Sequence, residues 1–272
     1  MLTGDPGSTD ALVVTRDGPI ATLWLNRPEK RNAVTKAMWE GIAVTTAELA
    51  VDRTVRVLVV RGTGDHFCAG ADIGELEVSD ASYAAANAGA DFALASFPKP
   101  TIAFIKGSCV GGGTQVAIAC DIRIADTSAV FGITPARLGI VYPAFGVDRA
   151  VRLLGPSATK HLLFSAELIG AERALRIGLV DEVHDPSTAD DRLDAFATLL
   201  ATQRSLLTQE SSKAMVDECV RSGEISRATQ AKWGAELAKS NDAAEGVAAF
   251  LERRAPRFTW AGTADAQPGT AE

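Results

Sequence analysis

A chain of 272 residues, 47% apolar and 22% charged, has enough apolar material for one large domain, or one domain with a small appendage. Its formal charge of −7 and lack of any basic run exclude nucleic acid and anionic membrane surfaces as natural partners. Four cysteines without C-x-x-C spacing (Cys68, Cys109, Cys120, Cys219) read as buried free thiols of a reducing compartment, and the dispersed His66, His161 and His184 suggest no metal site.

Residues 1–10, rich in Gly, Pro, Ser, Thr and Asp, read as a disordered leader without a signal-peptide pattern. No apolar run reaches the roughly 18–20 residues of a membrane span, so a cytoplasmic protein is expected. The β-rich runs 11–15 and 20–26 flank the turn signal Arg16-Asp17-Gly18-Pro19 and form a hairpin. Thr35 caps a helix to about residue 51, with Met38, Ile42 and Leu49 near helical spacing. The continuous run 55–60 is a strand buried on both faces. Residues 61–72, with three glycines, form a loop, and an alanine-rich helix fills 79–96.

A buried strand at 101–105 leads into Gly111-Gly112-Gly113 and a helix through residue 119; 121–125 is another strand. Helical patterns follow at 146–154, 157–165 and 171–177, then a short strand at 179–183 and long helices to about residue 254. Strands alternating with helices, then a helical end, argue for an α/β core with a C-terminal α-helical region. The boundaries read as a core over 11–195, a helical region over 196–258 and a flexible tail over 259–272.

Two places can present backbone N–H groups. The loop Phe67-Cys68-Ala69-Gly70-Ala71-Asp72-Ile73 is a small-residue run after a buried strand, and Gly111–Gly113 opens a helix. At a helix N-terminus the free N–H groups and the dipole favour negative charge. Two such groups converging on one carbonyl oxygen would form an oxyanion hole.

The order of pieces is more specific than either motif. Arg27-Pro28-Glu29-Lys30-Arg31-Asn32-Ala33 precedes Phe67–Ile73; then come Pro98-Lys99-Pro100-Thr101-Ile102-Ala103, Gly107 and the triple glycine. Cys120-Asp121-Ile122-Arg123-Ile124-Ala125, Phe131-Gly132, Leu138-Gly139 and Phe250-Leu251-Glu252-Arg253-Arg254-Ala255-Pro256-Arg257-Phe258 complete the series. This resembles the crotonase (enoyl-CoA hydratase/isomerase) superfamily from about Ala11 to Phe258. The resemblance implies a ββα spiral core, a C-terminal α-helical trimerisation region, and assembly as a homotrimer or a dimer of trimers. It also implies an acyl-CoA substrate, with coenzyme A as part of that substrate and no bound cofactor or metal. The thioester oxygen would rest on the N–H groups of Ala71 and Gly112. Arg31, Ala33, Ala69, Gly70, Asp72, Ile73, Gly111 and Pro135 would contact substrate or CoA. Arg253 or Arg254 would reach the CoA phosphates, or else end a solvated helix.

Hydratases of this family hold a water between two glutamates. Here those positions are Gln115 and Pro135, and the aspartate of dienoyl isomerases falls at Pro143; none can exchange a proton near neutral pH. Losing general acid–base help typically costs 10²–10⁴-fold per group. The stretch from Phe131 to Tyr142 is similar to the methylmalonyl-CoA decarboxylase branch, with Thr134-Pro135, Leu138-Gly139 and Tyr142 in matching places. That branch has a histidine at Ala71 and an acid at Gln115, and this chain has neither. Decarboxylation needs no base, and the Thr134 and Tyr142 hydroxyls could orient a substrate carboxylate, with Tyr142 returning a proton. Each has a purely structural alternative: Thr134 as an extended residue before proline, Tyr142 as a core or interface aromatic, Gln115 as a helix-surface amide. Three functions remain: a decarboxylase-type lyase on a malonyl-type CoA ester, an atypical enoyl-CoA hydratase or isomerase recruiting Glu75 or Glu77 at a helix start, and a non-catalytic acyl-CoA binder.

Overall fold

The computed structural model describes residues 8–76 and 80–262; Glu77, residues 1–7 of the expected leader and 263–272 of the expected tail lie outside the described residues. The central sheet has strand order β1 (Leu12–Asp17), β2 (Ile20–Leu25), β3 (Val57–Gly62), β4 (Thr101–Ile105), β6 (Ile122–Asp126) and β9 (Glu182–His184). Only the β1–β2 hairpin is antiparallel; the other neighbours are parallel. A second, three-stranded sheet holds β5 (Ser108–Val110), β7 (Val130–Gly132) and β8 (Ile169–Gly170). The chain thus passes from one sheet to the other, β4 to β5 and β6 to β7, before the helices that open at Gly112 and Ala144, which is the ββα spiral that the resemblance implies.

Strand alternation assigns the two sheet faces. Val57, Val59, Ile102, Phe104 and Ile124 point to one face, where α6 (Ala189–Gln203) lays Ala189, Leu193, Ala197 and Ala201 against them. Leu58, Val60, Ala103, Ile105 and Ala125 point to the other, into the main core shared with α1 (Lys36–Val51), α2 (Ala81–Ala95) and α3 (Gly112–Ala119). Burial on both faces explains the unbroken apolar runs. Each fully buried large side chain contributes about 1.5–3 kcal/mol of apolar transfer.

Several expectations change. The loop over 61–72 is partly paired: β3 runs to Gly62, and Cys68 bridges Cys109 of β5. The short strands β5, β7 and β8 escape a periodicity reading because two or three residues carry no pattern. The strand expected at 179–183 sits later, at Glu182–His184. The two helices expected at 146–154 and 157–165, by contrast, are found as the halves of α4 (Ala144–Ser165), separated where Gly155 takes φ 74° before Pro156. Cys219 is exposed, unlike the other three cysteines. Residues 8–10 of the expected leader are fastened by Asn26, whose amide donates to the carbonyls of Ser8 and Asp10, both at 2.8 Å.

The helical end comprises α7 (Leu206–Ser222), α8 (Arg227–Lys239) and α9 (Asp242–Glu252) after α5 (Ala171–Arg176) and α6. The expected boundary at 195–196 falls inside α6, which belongs to the sheet it covers. The expected tail is held at its start: Thr259 and Trp260 N–H donate to Asp242, and the Trp260 ring meets Trp233 edge-on at 6.4 Å. No helix among the described residues is long and apolar enough to cross a membrane.

Candidate active site

Backbone pairing brings the two small-residue motifs together. Cys68 N–H donates to Ser108 O (2.8 Å) and Val110 N–H to Cys68 O (3.0 Å), so the loop runs beside β5. Further on, Val34 N–H donates to Gly70 O (2.8 Å) and Asp72 N–H to Val34 O (2.9 Å). That parallel bridge consumes the groups either side of Ala71, whose own N–H finds no acceptor among the described residues. Gly112 is the first residue of α3, and its N–H is likewise without an acceptor there, as helix geometry requires. The two donors are neighbours: a β-carbon on Gly112 would stand 3.1 Å from Ala71 N.

Glycine is required for this approach. Gly111 takes φ 56°, ψ −113° at the turn into the helix. A β-carbon at Gly113 would lie 2.3 Å from the Cys68 carbonyl oxygen, so only glycine lets α3 press onto the loop. The Thr114 hydroxyl, within bonding distance of both Cys109 O (2.8 Å) and Gly132 O (2.9 Å), ties the helix start to β5 and β7.

Over the paired N–H groups lies a cavity of about 240 Å³. Its wall gathers Ala69, Gly70, Ala71, Ile73, Gly111, Gly112, Gln115, Thr134, Pro135 and Tyr142 of the residues expected from sequence. Arg31, Ala33 and Asp72 lie outside this wall. They belong to the adjoining strap: Ala69 N–H donates to Arg31 O (2.9 Å), and the Arg27 guanidinium joins Ala33 O (2.8 Å) to Asp72 (2.9 Å). Arg27 holds the Asp72 carboxyl below its usual range. At the edge of the cavity Ile73, Leu138 and Val141 are exposed apolar side chains.

The polar groups of the wall are almost all neutral. Gln115 is not a surface amide: it is 1% exposed, and its Nε2 donates to Asn87 Oδ1. Thr134 is not extended but takes φ −113°, ψ 23° and begins the 3-10 turn Pro135–Arg137. Tyr142 is half-buried and its hydroxyl donates to Gly111 O at 3.4 Å; burial raises its pKa, with Asp91 adding to the effect. Asp80 is the one carboxylate of the wall among the described residues, and it caps α2 by accepting from Ser82 N–H (2.7 Å). The hydrogen bonds from Ser82 hold Asp80 ionised below the usual carboxylate range.

Glu75 does not start a helix, since α2 begins at Ala81; it is exposed in a bend outside the cavity wall. Arg254 is ion-paired to Glu245 and Glu252 and lines a different cavity, under α6, α7 and α9. Sequence reasoning missed Tyr83, Asn87 and Asp80. The signal was present: Tyr83, Asn87 and Asp91 recur every four residues along an alanine-rich helix, a polar stripe that the structure turns inward.

The sequence profile of the family described as Enoyl-CoA hydratase/isomerase matches residues 15–261. Bos taurus "Enoyl-CoA hydratase domain-containing protein 2, mitochondrial" is 34% identical over 251 residues, covering 88% of this chain and 84% of that protein. The "Crotonyl-CoA hydratase" of Syntrophomonas wolfei is 32% identical, covering 91% of this chain and 97% of that one. Among solved structures, an enoyl-CoA hydratase/carnithine racemase from Magnetospirillum magneticum aligns with a TM-score of 0.88 at 32% identity, covering 93% and 96% of the two chains.

Proposed function

We propose, from the premise that this chain belongs to the enoyl-CoA hydratase/isomerase family, that it binds an acyl-CoA thioester over Ala71 and Gly112 and releases CO₂ from a malonyl-type ester. The observation that carries the reading is the neutrality of the wall beside the paired N–H groups. Gln115 and Pro135 stand where two carboxylates would hold a water, and Asp80 is already engaged as a helix cap.

In this reading the thioester oxygen accepts from both N–H groups. Cleavage of the bond to the carboxylate leaves its electron pair in an enolate, whose charge collects on that oxygen where the donors are fixed in advance. The neutral Asn87–Gln115 amide pair and Thr134 suit a substrate carboxylate, which nearby glutamates would repel. The strap formed by Arg27–Ala33 and Ala69–Ile73 is the run along which the CoA arm leaves the cavity. The helical end α7–α9, with Val247, Phe250 and Leu251 exposed, supplies the subunit contact of a trimer or a dimer of trimers.

A second reading is an atypical hydratase or isomerase. Asp80 favours it, as the one ionised group on the described wall, and the relatives' names point the same way. A panel of enoyl-CoA and malonyl-type CoA esters, scored for water addition and CO₂ release, separates the two. The expected outcome is CO₂ from a malonyl-type ester, with crotonyl-CoA hydrated far more slowly than by a two-glutamate relative. Crotonyl-CoA turnover typical of such a relative would overturn the lyase reading.

A further inference from the structure

An enolate held over Ala71 and Gly112 needs a proton at its α-carbon before product can leave, and the polar groups of the wall differ in whether they have one to give. Tyr142 directs its hydroxyl at Gly111 O, a carbonyl that also accepts the N–H of Gln115 at 3.0 Å. Gln115 donates to Asn87, and an amide is no acid in any case. Tyr83 is arranged the other way round. Its oxygen accepts the indole N–H of Trp39 at 3.2 Å, and its own O–H has no acceptor among the described residues. The phenol lines the cavity, on the first turn of α2.

Trp39 also fixes where that phenol stands. The indole is fully buried, and its Cζ2 lies 3.1 Å from the position a β-carbon on Gly112 would take. The indole edge that carries Nε1 therefore borders Gly112 and holds the Tyr83 oxygen at once.

We propose that Tyr83 is the general acid of this site, its phenol held by Trp39 beside the N–H pair so that it delivers the proton to the α-carbon of the enolate. This rests on the enolate chemistry proposed above. When CO₂ leaves, the broken C–C bond gives its electron pair to the new Cα=C bond, and the thioester π pair moves onto oxygen. In the next step that oxygen pair re-forms the carbonyl and the Cα=C pair takes the phenolic proton. A C–H bond forms and the Tyr83 O–H bond breaks. The phenolate accepts the Trp39 N–H and regains its proton from water.

Burial is the main cause that raises the Tyr83 pKa, with Glu75, Asp72 and Cys68 adding to it and the Trp39 N–H opposing. The phenol thus stays protonated until a base as strong as an enolate arrives.

The test uses the reverse step, exchange of the α-hydrogens of propionyl-CoA in D₂O between pH 7 and 9, next to CO₂ release from malonyl-type esters. Wild-type protein is expected to catalyse exchange with a rate that rises with pH. Tyr83→Phe should lower that rate by about 10²-fold, the low end of general acid–base help, while propionyl-CoA affinity stays within about threefold. Trp39→Phe keeps the phenol but removes the donor that stabilises its anion, so its exchange should fall at every pH in the range. This second variant separates proton transfer from simple packing. Wild-type exchange no faster than solution background, or Tyr83→Phe exchanging as fast as wild type, would overturn the assignment. If exchange depends on Tyr83 but no malonyl-type ester loses CO₂, the decarboxylation reading fails and Tyr83 stands. If CO₂ is lost equally from wild type and Tyr83→Phe, with the same deuterium stereochemistry at the α-carbon, Tyr83 fails and decarboxylation stands.

Discussion

At the seam between the sheet and α7, Lys99 and Glu210 are buried to 3% and 5% exposure, whereas the wall over Ala71 and Gly112 offers neutral amides, phenols and a proline. Lys99 donates to the carbonyls of Leu49 (3.3 Å) and Asp52 (2.7 Å), and burial brings its pKa down to about 8. Burial pushes Glu210 up to about 7, against the pull of Lys99, Lys232, Lys213 and Arg56. A carboxylate tuned to neutrality is what general acid–base catalysis prefers, and this chain builds one outside the wall of its candidate site. The scarcity of charge in the cavity, where Asp80 is the one carboxylate described, is therefore a local property of that wall, not a limit on what the fold can bury.

The largest expected effect lies on the cavity side. Gly112→Ala places a methyl 3.1 Å from both Ala71 N and Trp39 Cζ2, covering the paired donors. A loss of about 10²–10³-fold in kcat/KM is expected, roughly 3–4 kcal/mol, with circular dichroism unchanged. Wild-type turnover would mean the thioester does not rest there.

The seam gives the next largest effect. Since the folded-state pKa of Glu210 is raised, its contribution to stability is full below about pH 4.5 and is lost as pH rises through about 7. Urea denaturation should therefore show wild type losing about 2–3 kcal/mol relative to Glu210→Gln between pH 5 and pH 8. A pH-independent difference would show that the carboxyl is not held protonated.

Gln115→Glu makes the cavity resemble the seam by adding a charge. Repulsion of a substrate carboxylate should slow CO₂ release by roughly 10–100-fold, and pairing it with Pro135→Glu should bring in crotonyl-CoA hydration. Equal CO₂ release by wild type and Gln115→Glu would count against carboxylate binding beside that amide. The smallest effect belongs to Asp72→Asn, which weakens a partly exposed ion pair to Arg27 worth about 1 kcal/mol or less. KM for an acyl-CoA should rise by at most about fivefold with kcat unchanged.

Much of the architecture was legible because strands buried on both faces and helices capped at Thr35 leave strong local patterns. The N–H pair was legible for a related reason: glycines at 111–113 and small residues at 69–71 have few other uses beside one another. What stayed hidden depends on long-range pairing. Two- and three-residue strands such as β5 and β7 exist only through partners distant in sequence. Tyr83 and Asn87 share a polar stripe that the sequence displays, but only the packing of their alanine-rich helix on α1 decides that the stripe faces inward. Tyr142 drew attention by its neighbours in sequence, yet its hydroxyl is spent on Gly111.

The bridge between Cys68 and Cys109 has one further consequence. Ala71 and Gly112 each follow their bridge residue by three positions, so a backbone ladder, not any side chain, sets the gap between the two donors. That ladder acts as a caliper that every side chain around it can leave undisturbed. Substitutions at 83, 87, 115, 135 or 142 can exchange one reaction for another while the caliper keeps its setting. On the proposed reading the backbone then grips the thioester, and the side chains of the wall decide the fate of the acyl group.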